Sequence, residues 1–245
     1  MTLQWITPDW PAPPNMRAAS TLRTGGVSTG SFAGLNLGSH VGDDAAVVQE
    51  NRRLLYEALS LQAEPTWLNQ VHGSDVVDAA SQPVTPTADA VFTRVPGPVC
   101  AILTADCLPV LFCDRDGTGV AAAHAGWRGL AGGVLTSTVT ALGISPDRLI
   151  AWLGPAIEQD AFEVGPEVRE QFLARDAGHA SAFVANARGR WQADLYTLAR
   201  RELANAGILN VYGGDCRCYG DAARFFSYRR DRQTGRMATM VWLAR

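Results

Sequence analysis

Three consecutive apolar runs in the middle of the chain constrain the fold more than any other feature of the sequence. They are PVCAILT at 98–104, CLPVLFC at 107–113 and GVAAAH at 119–124. Apolar residues follow one another here instead of alternating with polar ones, which is typical of strands buried on both faces. A chain of 245 residues is long enough to enclose such strands in a core. The runs therefore predict a sheet that is covered on both sides.

Helical patterns flank these strands. Apolar residues recur at helical spacing in 42–61, 129–142, 166–174 and 193–206. Further strands are predicted at 17–23, 65–72, 74–80, 89–93, 148–154 and 238–244. Because strands cluster centrally and helices are interspersed, we predict an α+β fold, or a mixed sheet with flanking helices outside it. Nothing resembling a linker divides the chain, so residues 1–245 are predicted to form a single domain.

Composition excludes several classes of function. A formal net charge of −3 and a pI near 5.8 give no sign of a nucleic-acid-binding surface. No apolar run approaches the roughly 18 residues of a membrane span, and the opening residues do not read as a signal peptide, so a cytoplasmic protein is expected. All 21 basic residues are arginines, which excludes a lysine Schiff base and a P-loop lysine.

Three reactive side chains stand at the ends of predicted strands. His72 ends LNQVH, Cys107 follows ILTAD, and His124 ends GVAAAH. One thiolate and two imidazoles are a suitable ligand set for a catalytic zinc whose fourth position is left to water. The same residues could instead provide a cysteine nucleophile activated by histidine. Their intervals match no short zinc signature, so the sequence leaves both uses open.

Arginines form the second group of candidates. Arg23 lies beside a Gly-Gly turn, Arg128 lies beside the tryptophan of HAGWRG, and Arg229 lies among the aromatic residues of FFSYRRDRQTGR. Guanidinium groups suit phosphate or carboxylate, so we predict that these three bind an anionic part of the substrate. Arg230 and Arg232 are predicted to belong to a solvated face.

The other cysteines are predicted to have structural roles. Five cysteines in a long chain do not indicate a disulfide framework. Cys100 and Cys113 lie inside apolar runs and are expected in the core. Cys216 and Cys218 are separated by a single residue, which is tight for two ligands of one metal.

Several motifs together resemble a known family. LNQVHGSDV, ADAVFT, TADCLPVLF, AAAHAGWRG, LGPAI and FFSYRRDRQTGRMA occur in this order, after STLRTGGVS and GLNLGSHVGDD. From about Leu22 to Leu243 the chain resembles the YfiH-type family, also called the laccase-domain or polyphenol oxidoreductase family and now regarded as purine nucleoside phosphorylases. The fold that this resemblance implies is a layered α+β sandwich similar to that of a toxin deamidase with a Cys–His site. The segment CRCYG departs from the CTY-like segment of many members, so no role is given to Cys216.

The resemblance also implies a chemistry for a single catalytic domain. It implies zinc, with copper as a possible substitute, bound by His72, Cys107 and His124. The implied reactions are phosphorolysis of adenosine, inosine, guanosine and methylthioadenosine with inorganic phosphate, and deamination of adenosine. In such a reaction we expect arginines to hold phosphate, and we expect Gln70 and Asn36 to contact the sugar or the base.

Three alternatives differ in reaction class. A multicopper phenol oxidase would need roughly ten histidines, and the chain has four. A metal-free Cys–His amide hydrolase would use Cys107 as its nucleophile and would survive chelation. The third alternative is a binding or editing factor for peptidoglycan precursors, a role to which bacterial relatives have been linked.

Overall fold

Two sheets packed face to face form the centre of the molecule. The computed structural model describes residues 3–81 and 85–244. Within these residues the strands are β1 Trp5–Ile6, β2 Met16–Thr21, β3 Pro65–Thr66, β4 Val76–Asp78, β5 Ala90–Thr93, β6 Val99–Thr104, β7 Leu108–Asp114, β8 Val120–Ala125, β9 Leu149–Leu153, β10 Glu163–Val164, β11 Phe183–Ala185, β12 Trp191–Ala193, β13 Val211–Gly213 and β14 Met237–Leu243. The α-helices are α1 Ala45–Ala58, α2 Trp127–Ala131, α3 Val134–Leu142, α4 Pro166–Arg175, α5 Leu195–Asn205 and α6 Tyr228–Asp231.

Both large sheets are mixed. One has the order β1-β2-β14-β6-β3 and the other the order β13-β9-β7-β8-β5-β4, and a small sheet has the order β10-β12-β11. Most neighbours are antiparallel, but β3 runs parallel to β6, β4 to β5, and β13 to β9. Strand β14 lies between β2 and β6, where Thr239 is opposite Ser20 on one side and Ile102 on the other. The chain passes from the first sheet to the second in the short turn between β6 and β7.

Strand β7 shows why the apolar runs lack alternation. Val110 and Phe112 pack into the core that faces the helices, whereas Leu111 and Cys113 pack into the core between the sheets. Every residue of β6, β7 and β8 is buried, so the prediction of strands covered on both faces is confirmed. The α+β layered sandwich is confirmed as well.

Helices cover the outer faces of the two sheets. Helices α3 and α5 place Leu135 and Leu198 against the six-stranded sheet, and α1 places Leu55 against the outer face of the five-stranded sheet. Asp44 caps α1 by accepting hydrogen bonds from the backbone N–H groups of Ala46 and Val47. The predicted helix 193–206 is also present, as α5, and it ends before Gly207.

Two predicted elements differ from the structure. The predicted helix 129–142 is interrupted because Gly133 has a left-handed φ of 89°, and α2 and α3 lie on either side of it. Of the predicted strand 65–72, only Pro65–Thr66 pairs in a sheet, and His72 has a left-handed φ of 61°. No helix within 3–81 and 85–244 is long and apolar enough to cross a membrane.

Candidate metal and substrate site

The fold brings His72, Cys107 and His124 together. One potential ligand atom from each residue lies within 4.8 Å of the others, and no other such cluster of metal-binding side chains occurs in the described part of the chain. His124 lies near the end of β8, Cys107 lies in the turn between β6 and β7, and His72 lies in the loop before β4. A sheet end and two adjoining loops therefore form the site.

Asp89 joins two parts of this site. Its Oδ1 accepts hydrogen bonds from His124 Nδ1 at 2.8 Å and from the backbone N–H of His72 at 2.9 Å. Its Oδ2 accepts from the backbone N–H groups of Val71 at 3.1 Å and Gly73 at 2.7 Å. Since the carboxylate only accepts, the neutral ring of His124 carries its proton on Nδ1 and leaves Nε2 free for a metal. The buried Asp89 side chain thus orients His124 and holds the loop that carries His72.

Electrostatics at the cluster favour positive charge at His124. Burial lowers the pKa of His124, but Cys107 and Asp89 outweigh burial and raise that pKa to about 9. The pKa of His72 is lowered, first by burial and then by the positive charge of His124. The pKa of Asp89 is lowered even though burial opposes this, because it accepts hydrogen bonds from His124 and the loop backbone. The two imidazoles therefore share a single positive charge, which lies on His124.

The donor set fits zinc. A tetrahedral zinc with bonds of about 2.0–2.3 Å separates its ligand atoms by roughly 3.3–3.8 Å, and three protein ligands leave its fourth position open, as in catalytic sites. The ligand atoms of this cluster lie within 4.8 Å of one another, so small side-chain movements suffice. The backbone also leaves room: a Cβ at Gly126 would lie only 3.0 Å from Cys107 Sγ and 3.0 Å from His72 Nδ1.

A cavity of about 530 Å³ opens over the cluster. Its lining combines the ligands with aromatic, apolar and cationic side chains: His40, Gln70, His72, Leu103, Thr104, Ala105, Asp106, Cys107, His124, Trp127, Arg128, Ile157, Phe162, Tyr228, Arg229 and Arg236. Aromatic rings can stack on a heterocycle, and arginines can bind an anion. Such a lining suits a ligand that has both a planar base and a negatively charged group.

Three arginines line this cavity, but they are held differently. Arg128 is exposed, and its guanidinium lies 4.3 Å from the Trp127 ring centroid. Arg229 donates from Nη1 and Nη2 to the backbone carbonyls of Ala161 and Glu163 at 3.3–3.4 Å. Arg236 belongs to a motif quoted above but was not among the predicted site residues.

Two of the predicted substrate contacts lie behind the cavity wall. Arg23 is absent from the lining, and its guanidinium faces the backbone carbonyls of Ala222 and Ala33 at 3.2 and 3.5 Å. Asn36 is fully buried, where its Oδ1 accepts from the backbone N–H groups of Gly38 at 3.0 Å and Arg236 at 2.9 Å. These contacts make both side chains supports for the loops around the cavity.

Gln70 lines the cavity, but its amide is used elsewhere. Nε2 donates to the Leu103 carbonyl at 2.9 Å, and Oε1 accepts from the Leu103 N–H at 2.8 Å. This pair of bonds ties the loop that carries His72 to the end of β6. The structure therefore places Gln70 as a brace between the two sides of the site.

Asp106 shapes the turn that presents Cys107. Its φ of 90° is rare for a residue other than glycine. Oδ2 accepts from the backbone N–H of Arg229 at 2.6 Å, whereas Oδ1 is buried and has no hydrogen-bond partner among the residues that the structure describes. Burial raises the pKa of this carboxyl group. Strain and an unpaired buried oxygen next to a candidate ligand are typical of functional sites.

Asp89 and Arg236 are the residues that sequence reasoning missed. Asp89 stands at the start of a predicted strand, and a carboxylate that is buried beside an apolar run such as AVFT must be fully hydrogen-bonded. For Arg236 the sequence offers no equivalent signal, because four arginines share one segment and its aromatic residues favoured Arg229 instead.

The remaining reactive side chains lie outside the cluster. Cys100 and Cys113 are buried in the core between the sheets, as predicted, and burial raises the pKa of both thiols. Cys216 is half-buried and Cys218 is buried. His179 is buried, and its Nε2 lies 3.0 Å from Glu202.

Comparisons with known proteins agree with this arrangement. The chain matches the family described as multi-copper polyphenol oxidoreductase laccase over residues 17–244. It is 56% identical to a purine nucleoside phosphorylase of Pseudomonas aeruginosa, with 98% of both chains covered. It is 52% identical to the purine nucleoside phosphorylase YfiH of Escherichia coli, over 97% of this chain and 98% of that protein.

Solved structures show the same fold. A Neisseria meningitidis protein of the DUF152 family superimposes with a TM-score of 0.95 at 49% identity, over 98% of this chain and 99% of that one. YlmD from Geobacillus stearothermophilus superimposes with a TM-score of 0.88 at 31% identity, over 95% and 93%. With this agreement across nearly its whole length, the chain belongs to the YfiH-type polyphenol oxidoreductase laccase family.

Proposed function

We propose that this chain is a zinc-dependent purine nucleoside phosphorylase that also deaminates adenosine. The observation that carries the proposal is the His72–Cys107–His124 cluster at a cavity with aromatic and cationic walls. Relatives with 52–56% identity bear the name purine nucleoside phosphorylase, which supports the same activity here. The substrates are adenosine, inosine, guanosine and methylthioadenosine, with inorganic phosphate as co-substrate, and the chain acts as a single catalytic domain.

Substrate binding follows from the cavity lining. The purine ring stacks among Trp127, Phe162 and Tyr228, which supply apolar faces. Arg128 and Arg229 add positive charge to the walls of the cavity, which favours anionic ligands there. Arg23, Asn36 and Gln70 contribute through the loops that they brace. These assignments place the glycosidic bond near the metal ligands.

Phosphorolysis exchanges one bond at the ribose C1′. The bond from C1′ to purine N9 breaks, a phosphate oxygen forms the new bond to C1′, and the base leaves with the proton that the phosphate gives up. Phosphate held in line with the breaking bond lowers the entropic part of the barrier. A bound zinc supplies Lewis-acid stabilisation of negative charge and a water with a lowered pKa. His72, Cys107 and His124 would hold it, with Asp89 orienting His124.

Deamination uses the same pocket without phosphate. Water replaces the amino group at C6 of adenosine, and ammonia leaves with the proton that the water gives up. Asp106 lies beside Cys107 and is placed to support proton transfer at this end of the cavity. Copper in the zinc site would leave these binding contacts unchanged.

A metal-free cysteine hydrolase is the second candidate. His124 lies between the Cys107 thiol and the Asp89 carboxylate, and the thiol raises its pKa. This order matches the nucleophile, base and orienting acid of Cys–His–Asp catalysis. Such an enzyme would act on amide bonds and would keep its activity without metal.

A chromatographic assay tests the proposal. Zinc-loaded and chelator-treated protein are incubated with adenosine, with and without phosphate. We expect phosphate-dependent adenine and ribose 1-phosphate, together with phosphate-independent inosine, and both should disappear after chelation or in Cys107→Ala. Cys216→Ala is the matched control, because Cys216 lies outside the cluster, and it should retain both products. Adenosine that survives intact with folded, zinc-loaded protein would refute the proposal, and amide cleavage that persists after chelation would establish the hydrolase instead.

A further inference from the structure

We infer that Arg236 is the residue that binds the phosphate co-substrate beside the metal ligands. This inference rests on the proposed phosphorylase function and assigns its anion subsite. Arg236 lines the cavity directly before β14. Its Nη1 donates to the carbonyls of Thr234 and Gly235 at 3.0 Å, whereas Nε and Nη2 have no acceptor among the described residues. Two donors of one planar fork are therefore available to a ligand.

Arg236 also lacks a counterion. No carboxylate of the described chain lies within ion-pair distance of its guanidinium, whereas arginines such as Arg148, Arg201 and Arg224 form such pairs. Burial lowers its pKa, and the negative charges of Cys107 and Asp106 act in the opposite direction. A partly buried cation without an anion is unfavourable in the empty protein. An oxyanion in the cavity would satisfy it.

The other two arginines of the cavity are less suited to the same role. The guanidinium of Arg229 is occupied by the carbonyls of Ala161 and Glu163. Arg128 is exposed and stacks on a tryptophan, so water screens its charge. Arg236 is half-buried, so water screens its charge less than that of Arg128.

The fold fixes the position of Arg236 from two sides. Asn36 Oδ1 accepts from the Arg236 backbone N–H at 2.9 Å, while Asn36 Nδ2 donates to Asp43 at 2.9 Å. On the other side, Gly38 leaves space that a side chain would fill, because a Cβ there would lie 2.8 Å from Arg236 Cγ. A fork held in this way loses little conformational entropy when phosphate binds. Buried Asn36 therefore positions Arg236 from behind the cavity wall.

The decisive variant is Arg236→Lys, which keeps the charge but removes the fork. We expect the KM for phosphate to rise about tenfold or more, because charge-assisted hydrogen bonds are lost, while the KM for the nucleoside stays within about twofold of wild type. Arg232→Lys is the matched control, since Arg232 is exposed and outside the cavity lining. Gly38→Ala displaces the Arg236 side chain without changing its charge and should also raise the KM for phosphate. Zinc content and thermal melting establish that each variant is folded and loaded.

A titration of inorganic phosphate into the zinc-loaded proteins separates the two levels of inference. If wild type releases no base in the presence of phosphate, the proposed function fails, and the titration alone then tests Arg236. Phosphate binding that is weakened in Arg236→Lys and unchanged in Arg232→Lys supports the assignment. Phosphate binding that is equal in wild type and Arg236→Lys, or absent from wild type, overturns it. A KM for phosphate that is unchanged in Arg236→Lys overturns it as well.

Discussion

Replacing Gly126 with alanine should impair metal binding while leaving the fold intact. The added Cβ would lie 3.0 Å from both Cys107 Sγ and His72 Nδ1. Ordinary contact distances are about 3.5–4.0 Å, so each ligand atom must move away by roughly 0.5–1.0 Å. Metal sites tolerate deviations of only about 0.2 Å from ideal distances. We therefore expect zinc affinity to fall by about 10- to 100-fold, the range seen when ligand positioning is disturbed.

The stability of the metal-free protein should change little in the same variant. Gly126 has φ −60° and ψ 156°, a conformation that alanine adopts without strain. The lower entropy of the unfolded alanine chain adds about 0.4–1 kcal/mol to the free energy of unfolding. This gain offsets the steric cost of the added Cβ, which is mild because His72 lies on the open side of the site.

Two measurements and one control test this reasoning. Zinc affinity is measured by competition with a chelator, and the free energy of unfolding by urea denaturation without metal. Gly189→Ala is the control: no atom lies within 4 Å of its added Cβ, but its φ of 70° makes alanine strained. It should lose about 1 kcal/mol of stability with zinc affinity unchanged. A folded Gly126→Ala protein that binds zinc as tightly as wild type would refute the steric argument.

Three further predictions concern the acid behind the site, the pH dependence and the core. Asp89→Asn should weaken zinc binding about 10- to 100-fold in chelator competition, whereas Asp114→Asn, at an equally buried acid elsewhere, should lower stability only. In metal-free protein His124 has a pKa of about 9, above its ordinary 6.5. The contribution of its protonated form to the stability of the fold is therefore complete below about pH 6.5 and is lost as the pH rises towards 9. A urea midpoint that rises with pH in this window would contradict this expectation. Phe112→Ala should cost about 3–5 kcal/mol of unfolding free energy, measured by urea denaturation, because Phe112 is fully buried against the helices.

Much of the fold could be predicted because strands that are buried on both faces have apolar residues at every position of the sequence. The apolar runs of β6, β7 and β8 have no polar face, and the structure buries all their residues. The break at Gly133 could not be predicted with the same security, since isolated glycines occur within many helices. The pairing of strands could not be predicted either, because nothing in the sequence of β14 indicates that it lies between β2 and β6.

The site could be predicted where residue type alone limits the chemistry. Few histidines and one suitably placed cysteine pointed to His72, Cys107 and His124, and the structure brings these three together. The arginines were harder because the chain has 21 of them, and solvation, stacking and anion binding all use the same side chain. Only the three-dimensional contacts distinguish Arg236, with two free donors, from Arg23, which is bound to backbone carbonyls.

The central position of β14 has a consequence for the order of folding. Its partner β2 lies far away along the chain, and the Ser20–Thr239 hydrogen bond joins residues 219 positions apart. Pairing at such separation requires a large loss of chain entropy before contacts compensate it, so the five-stranded sheet should close late. Arg236 directly precedes β14 and is positioned by the same docking event. The anion-binding side of the cavity would thus form only after the six-stranded sheet, and partly folded chains would lack this anion-binding side.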